Sequence, residues 1–235
     1  MEPPLKGLTI VRDLGFREYE ETVSAMRTFT RNRIETTPDE CWLLEHPPIF
    51  TQGIAGQDTH VLNPHDIPVI QTDRGGQVTY HGPGQLVIYV LCDLKRKQWG
   101  IRSLVSALEN TVVSYLKHLS IEAEADSCRR GVYVSGKKIC SIGLRVSRSA
   151  SYHGLALNVA MDLTPFSYIN PCGYAGLEMT QICDFSPTLT VEAVKSAIMP
   201  YFFENLRYND PHEHHSRSRV EKERTRQTLP HSCQN

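Results

Sequence analysis

Short apolar runs divide the first two thirds of the chain into strands. Residues 8–14 (LTIVRDL), 41–45 (CWLLE) and 68–72 (PVIQT) each have the length and composition of one. Residues 86–94 (LVIYVLCDL) are apolar on both faces, as a central strand of a covered sheet would be. Tyr19, Val23, Met26 and Thr30 recur at helical spacing and predict an amphipathic helix over 19–31. Ser103 stands where an N-cap is expected. Leu104, Leu108, Val112, Tyr115 or Leu116, and Leu119 follow in three- and four-residue steps, predicting a helix of about four turns. Residues 131–146 (GVYVSGKKICSIGLRV) read as a β-hairpin turning at Ser135-Gly136, and 153–159 (HGLALNV) as a further strand. Thr190 is placed to cap a last helix with Val194, Ile198 and Phe202 on one face, which Pro200 is expected to kink or shorten.

Between these elements lie three loops. His46-Pro47-Pro48 ends the strand before it, and 49–57 reads as irregular. Residues 166–180 carry Asn170-Pro171-Cys172-Gly173 in their middle. The densest loop is 74–85, RGGQVTYHGPGQ, in which five of twelve residues are Gly or Pro. Such a loop suits close approach of backbone to a ligand. The mixture of strands and helices implies an α/β or α+β domain with a mixed, partly antiparallel sheet. The domain is expected to occupy 1–208. Residues 209–235 hold almost no large apolar side chain and are expected to be a disordered tail. His212, His214 and His215 are read there as solvated rather than as a metal site.

Composition narrows the function. The 235 residues, 40% apolar and 22% charged, suit one ordinary globular domain. A net charge of -1 and the absence of a DNA-reading motif argue against nucleic acid. No apolar run approaches a membrane span, and MEPPLKG has no signal-like apolar stretch. Seven cysteines, odd in number and scattered, point away from a disulfide framework and toward a reducing, cytoplasmic setting.

Their contexts separate those cysteines. Cys41, Cys92 and Cys140 lie in apolar strands, where a thiol behaves as a small hydrophobe. Cys128 and Cys183 lie in loops and Cys233 in the tail. Cys172 sits in a Pro-Cys-Gly turn that would present its sulfur at a fixed angle. A thiol nucleophile needs a lowered pKa or a nearby base, and His81, His153, Lys137 and Lys138 are the candidate partners. Lys138 and Cys140 share one strand face, so if Cys140 is buried Lys138 points inward too. Desolvation would then depress its pKa and make it a base; otherwise it is a snorkelling edge lysine. His81 is either a polar contact or a structural histidine. The glycine loop matches neither the P-loop nor the dinucleotide-binding pattern.

Together RGGQVTYHGPGQ, GKKICSIGLRV, HGLALNV and INPCGYAG resemble the lipoyl(octanoyl) transferase family of lipoate biosynthesis, over roughly residues 8–206. The resemblance implies the mixed sheet flanked by helices shared with biotin and lipoate protein ligases. It implies transfer of an octanoyl group from octanoyl-acyl carrier protein to a lysine of lipoyl domains, without cofactor or metal. Cys172 matches the acyl-thioester cysteine, and Lys138 the lysine that lowers its pKa. Arg74, Gly75, Gly76, Gln77, Val78, Thr79, Tyr80 and His81 match a substrate-binding segment. So do Ser141, Ile142 and Gly143, and Gly154, Leu155 and Ala156. The basic pair in Ser127-Cys128-Arg129-Arg130 departs from the family pattern and has no assigned role.

Two other readings stand beside this one. An ATP-dependent lipoate or biotin ligase of the same fold would need an adenylate and no nucleophilic cysteine. A carrier-binding module without activity would keep a basic docking face. Acyl carrier proteins are generally acidic, and Lys95, Arg96, Lys97 and Arg102 are the candidate residues to dock one, against the alternative of a solvated positive face. The protein is expected to be a monomer.

Overall fold

The computed structural model describes residues 9–126 and 128–208. Ten strands form two sheets. β1 (Thr9–Phe16), β2 (Asp39–Glu45), β6 (Gln85–Leu91), β7 (Glu124–Ala125), β8 (Val132–Val134), β9 (Lys137–Ser147) and β10 (Ala150–Asn158) make the larger. Its order is β1-β2-β6-β10-β9-β8-β7, with only β1 and β2 parallel. β3 (Ile49–Gln52), β4 (Val69–Gln71) and β5 (Val78–His81) make a small sheet in the order β4-β3-β5.

The side-chain alternation of β6 decides which helix covers which face. Leu86, Ile88 and Val90 point into one core, beneath helices α3 (Ile101–His118) and α4 (Val191–Leu206). Val87, Tyr89 and Leu91 point into the other, beneath α1 (Tyr19–Asn32). A strand sandwiched this way must be apolar on both faces, which is why 86–91 reads as an unbroken run.

Several boundaries differ from expectation. The strand begun at Gln85 stops at Leu91, because Asp93 caps a short helix, α2 (Leu94–Lys97), by accepting from the Arg96 N–H at 2.9 Å. Ser103 is not the cap of α3; Gly100 holds that position. Pro200 does not end α4, which runs on to Leu206 with Val194, Ile198 and Phe202 buried. Residues 49–52, expected as loop, form β3, and residues 78–81 in the middle of the glycine-rich segment form β5. Pairing with a strand distant in sequence supplies the ladder that local pattern did not reveal. The expected tail, 209–235, lies outside the described residues, as do its histidines.

One backbone irregularity shapes the site. His153, in the middle of β10, has φ 61°, a left-handed value rare for a residue with a Cβ. Tyr152 and His153 consequently stack on one another and grip one carboxylate. The Tyr152 hydroxyl donates to Asp73 Oδ2 at 2.6 Å, and His153 Nε2 meets Asp73 Oδ1 at 3.0 Å. Arg27 Nε adds a third contact at 3.1 Å. These partners hold the Asp73 carboxyl far below the ordinary range although burial opposes it. The next residue, Gly154, takes the strand so close to β6 that a Cβ would run into the Ile88 carbonyl.

Beneath the glycine-rich segment lies a seam of buried rings. His46 Nδ1 donates to the Arg17 carbonyl at 2.6 Å and its Nε2 accepts from the Tyr89 hydroxyl at 2.8 Å. His81 meets Gln85 Oε1 at 2.7 Å and stacks on Tyr19. Burial pushes His46 down to about 4 and His81 down to about 3. Unfolded, both rings take up a proton near the ordinary histidine value of about 6.5. The folded pKa values are lower, so this stabilisation is complete above about pH 6.5. It is lost as pH falls toward 4 for His46 and 3 for His81, because only the unfolded chain binds protons in that window. We therefore expect urea midpoints, followed by circular dichroism, to be lower at pH 5 than at pH 7. Each ring contributes on the order of 1 kcal/mol per pH unit. Equal midpoints at the two pH values would contradict the buried-neutral assignment.

Candidate active site

The hairpin from β8 to β9 turns at Ser135-Gly136, both in left-handed backbone. Strand alternation then sends Lys137 outward, to an ion pair with Glu178 at 2.7 Å, and Lys138 inward. The segment that follows Cys172 returns alongside β9 at this point. The Lys138 N–H donates to the Glu178 carbonyl at 2.9 Å, and the Lys138 carbonyl accepts from the Thr180 N–H at 3.0 Å. Lys138 is 1% exposed, and its Nζ donates to Cys172 Sγ at 3.0 Å.

Cys172 occupies a 3-10 turn, Pro171–Gly173, with φ 57° and ψ 18°. The Asn170 N–H donates to the His60 carbonyl at 2.8 Å, and the Gly173 N–H to the Asn170 carbonyl at 2.9 Å. Left-handed backbone at a residue with a Cβ persists only where its surroundings enforce it. Gly131, at the entry to β8, makes room for the lysine: a Cβ there would run into the Cys140 carbonyl and stand 2.7 Å from Lys138 Cε.

The electrostatics correct the sequence-based expectation for Lys138. Burial alone would lower its pKa. The facing Cys172 sulfur and the Tyr133 ring, 5.4 Å from Nζ, outweigh burial and hold it above the ordinary lysine value. With Cys172 free, Lys138 is therefore an ammonium. Three buried cysteines lie away from this lysine's reach or deep in the core: burial raises Cys41, and raises Cys92 and Cys140 to about 12.

A cavity of about 210 Å³ opens beside Cys172. Gly75, Gly76 and Gln77 line one side. Ser141 and Gly143 of β9, with Gly154 and Ala156 of β10, line another. These two stretches are rungs of one ladder: Ser141 pairs with Ala156, Ile142 with Leu155, and Gly143 with Gly154. Ile142 and Leu155 reach the cavity wall while their side chains pack into the α3 and α4 core. Thr79 and His81 also line it. Val78 and Tyr80, one residue away on β5, turn into a separate core with Phe50 and Phe166. Strand alternation thus splits the predicted segment between two environments.

Arg74 is buried at the same wall. Its Nη1 donates to the Gly75 carbonyl at 2.9 Å and its Nη2 to Thr51 Oγ1 at 2.8 Å. It has no ion pair among the described residues, and burial lowers its pKa. The loop after β3 braces this segment: the Ile54 N–H donates to the Arg74 carbonyl at 2.9 Å and the Ala55 N–H to the Gly76 carbonyl at 3.2 Å.

Sequence reasoning missed Asp73, whose only signal was its place just before the glycines. It also left Arg129 and Arg130 unassigned, and both line the cavity. The basic cluster at 95–97 is largely committed elsewhere. Arg96 pairs with Asp39, and Lys97 Nζ donates to the Leu206 carbonyl at 2.6 Å and lies over the Tyr208 ring. Lys95 and Arg102 remain exposed. Among the described residues no three of His, Cys, Asp and Glu come together to hold a metal ion, and no helix is long and apolar enough to cross a membrane.

This sheet, with its cavity, has the fold of the lipoate and biotin protein ligase catalytic domains. A putative lipoate protein ligase from T. acidophilum superposes with a TM-score of 0.69 at 17% identity, over 87% of each chain. A biotin protein ligase from Aquifex aeolicus superposes with a TM-score of 0.51 at 13% identity, over 85% of this chain and 68% of that one. Residues 18–203 match the lipoyl protein ligase A/B catalytic domain, and the chain belongs to that family. A protein of Pectobacterium atrosepticum named Octanoyltransferase is 54% identical over 88% of this chain and 91% of its own. Another of that name from Yersinia pseudotuberculosis is 56% identical over 85% of each.

The Lys138–Cys172 contact has a chemical signature apart from any substrate. Alkylation of Cys172 by iodoacetamide at pH 7, followed by peptide mass spectrometry, should slow about tenfold or more in Lys138→Met, because the thiolate loses its ammonium partner. Cys140, buried, should stay unlabelled in the folded protein. An unchanged Cys172 rate in Lys138→Met would dissolve the ion pair.

Proposed function

We propose that the protein transfers an octanoyl group from octanoyl-acyl carrier protein to the lysine amine of lipoyl domains, through an acyl-thioester on Cys172. The acceptors are the acyltransferase subunits of 2-oxoacid dehydrogenases and the H protein of glycine cleavage. The observation that carries this reading is the 3.0 Å contact of Lys138 Nζ with Cys172 Sγ. The relatives named Octanoyltransferase, 54–56% identical, support the same acyltransferase chemistry.

The thiolate of Cys172 attacks the thioester carbonyl while the acyl chain lies in the cavity, stabilised by about 0.8 kcal/mol per buried methylene. Arg74, fixed on Thr51, presents a buried cation at the wall where negative charge develops. As the tetrahedral intermediate collapses, the carbon–sulfur bond to the carrier breaks, and Lys138 gives its proton to the departing thiolate. The acyl-enzyme no longer carries the sulfur charge that held the Lys138 pKa up. Burial, the largest influence on this lysine, then acts without that opposition and favours the neutral amine. Neutral Lys138 is the base that the second step requires. The acceptor amine attacks the Cys172 thioester, Lys138 takes the amine's proton, and the carbon–sulfur bond to Cys172 breaks, releasing the amide and returning the sulfur as a thiolate beside the Lys138 ammonium. One residue thus serves as acid and then as base because its partner's charge disappears between the steps.

An ATP-dependent ligase shares the fold, and a lipoate-protein ligase A bound with ATP superposes with a TM-score of 0.65 at 16% identity. Acyl-adenylate chemistry has no need of a lysine buried against a cysteine. Wild-type protein incubated with octanoyl-carrier should gain one octanoyl mass without ATP. Cys172→Ala should gain none, and Lys138→Ala should lose activity by about 10² or more. An adduct that persists in Cys172→Ala, or product that forms only with ATP, defeats the reading.

A further inference from the structure

The stretch after β7, to which the sequence assigns no role, lines the cavity. Asp126 organises it, accepting from the Cys128 N–H at 2.8 Å, the Arg129 N–H at 3.1 Å and Arg129 Nε at 2.7 Å. The Arg129 guanidinium lies 4.8 Å over the Tyr133 ring, and the Tyr133 hydroxyl donates back to the Arg129 carbonyl at 2.6 Å. The opposite face of the site contributes Tyr174, two residues beyond Cys172, whose hydroxyl donates to the Cys128 carbonyl at 3.5 Å. The stretch is therefore tied to the reacting pair at both ends: through Tyr133 to Lys138 and through Tyr174 to the Cys172 turn.

One of its two positive charges, that of Arg130, has no ion-pair partner among the described residues. Arg129 and Arg130 both line the cavity, and Arg130 is exposed. Asp126 is already paired with Arg129, and the nearby Glu109 carboxylate is buried, accepting from the Gly131 N–H at 3.2 Å. Arg130 has no ion pair among the described residues. A positive rim on a chain of net charge -1 is a local feature, not a reflection of overall charge.

We propose that Arg129 and Arg130 form a phosphate-binding lip that takes the phosphodiester of a phosphopantetheine-borne acyl donor. This rests on the transfer reading above. With the acyl chain in the cavity and the carbonyl at Cys172, the thiol arm of the donor must leave through the mouth. A pantetheine arm is uncharged along its length, and the phosphodiester at its end is the first group that a guanidinium can pair with. Arginine suits it because its planar fork meets two phosphate oxygens at once. Asp126 and Tyr133 restrict Arg129 beforehand, so less side-chain freedom is lost on binding.

The test compares octanoyl-pantetheine with octanoyl-phosphopantetheine as donors, following the octanoyl mass on Cys172 over time. Both are read on the same protein, so any unfolded fraction cancels from the ratio of their rates. Wild type should favour the phosphorylated donor, and raising salt should shrink that preference. In Arg130→Ala the preference should fall about tenfold, through KM with kcat held, as expected for binding common to ground and transition states. Arg129→Ala should fall likewise, and Arg130→Lys should keep part of the preference. The proposal is overturned if the ratio is unchanged, or if both donors slow equally, which marks a structural role. It is also overturned if only the intact carrier protein is affected, which moves recognition to the carrier's surface. Absence of any octanoyl adduct on the wild type defeats the transfer reading itself, and the lip with it.

Discussion

A buried ammonium has to be answered. Lys138 is 1% exposed, and an uncompensated charge at such a depth costs several kcal/mol. Its answer is Cys172, 34 residues along the chain and 3.0 Å away. Much of the nearby structure can be understood as what keeps that pair together. The strand pairing of Lys138 with the returning segment at 178–180 brings the two stretches side by side. Gly131 vacates the volume that the lysine stem fills. The left-handed backbone of Cys172 aims the sulfur at it. Each holds a different degree of freedom.

The same pair explains a conflict between two physical effects. Burial pushes a lysine toward neutrality, and a thiolate pushes it toward charge. While the sulfur is free the second wins, and Lys138 stays an ammonium against it. Under the proposed chemistry, acylation removes the sulfur's charge and leaves burial in command. The two demands of a two-step transfer are then met by one residue in one place, with no movement of the backbone.

The cradle is built by a separate set of constraints. Asp73 is fixed between Arg27, Tyr152 and His153, and the glycines that follow it are braced by the loop after β3. Below lie His46, hydrogen-bonded to the Tyr89 hydroxyl, and His81, hydrogen-bonded to Gln85. A polar floor held this way is rigid, and it leaves the small residues of β9 and β10 to define the cavity's shape. Val78 and Tyr80 anchor β5 in its own core, so the strand can present Thr79 and His81 to the cavity.

The amino-acid pattern alone determined a good deal. The doubly apolar run at 86–91, the helical spacing at 19–31 and 104–119, and the Ser-Gly turn are local signals with local causes, and the structure follows them. The motifs around Lys138 and Cys172 were legible because their residue types are chemically unusual where they stand. Other features were decided only by the tertiary structure. β3 and β5 exist because distant segments pair, and no periodicity within four residues announces that. The left-handed backbone of His153, the grip on Asp73 and the splitting of Val78 and Tyr80 from their neighbours depend on which face meets which layer. The charge of Lys138 is the clearest case. Strand alternation left Lys138 either turned inward with a depressed pKa or snorkelling at an edge. The sulfur and the Tyr133 ring that the fold places against it reverse the sign, because the electrostatics of a buried group are set by what lies within a few ångströms in space, not along the chain.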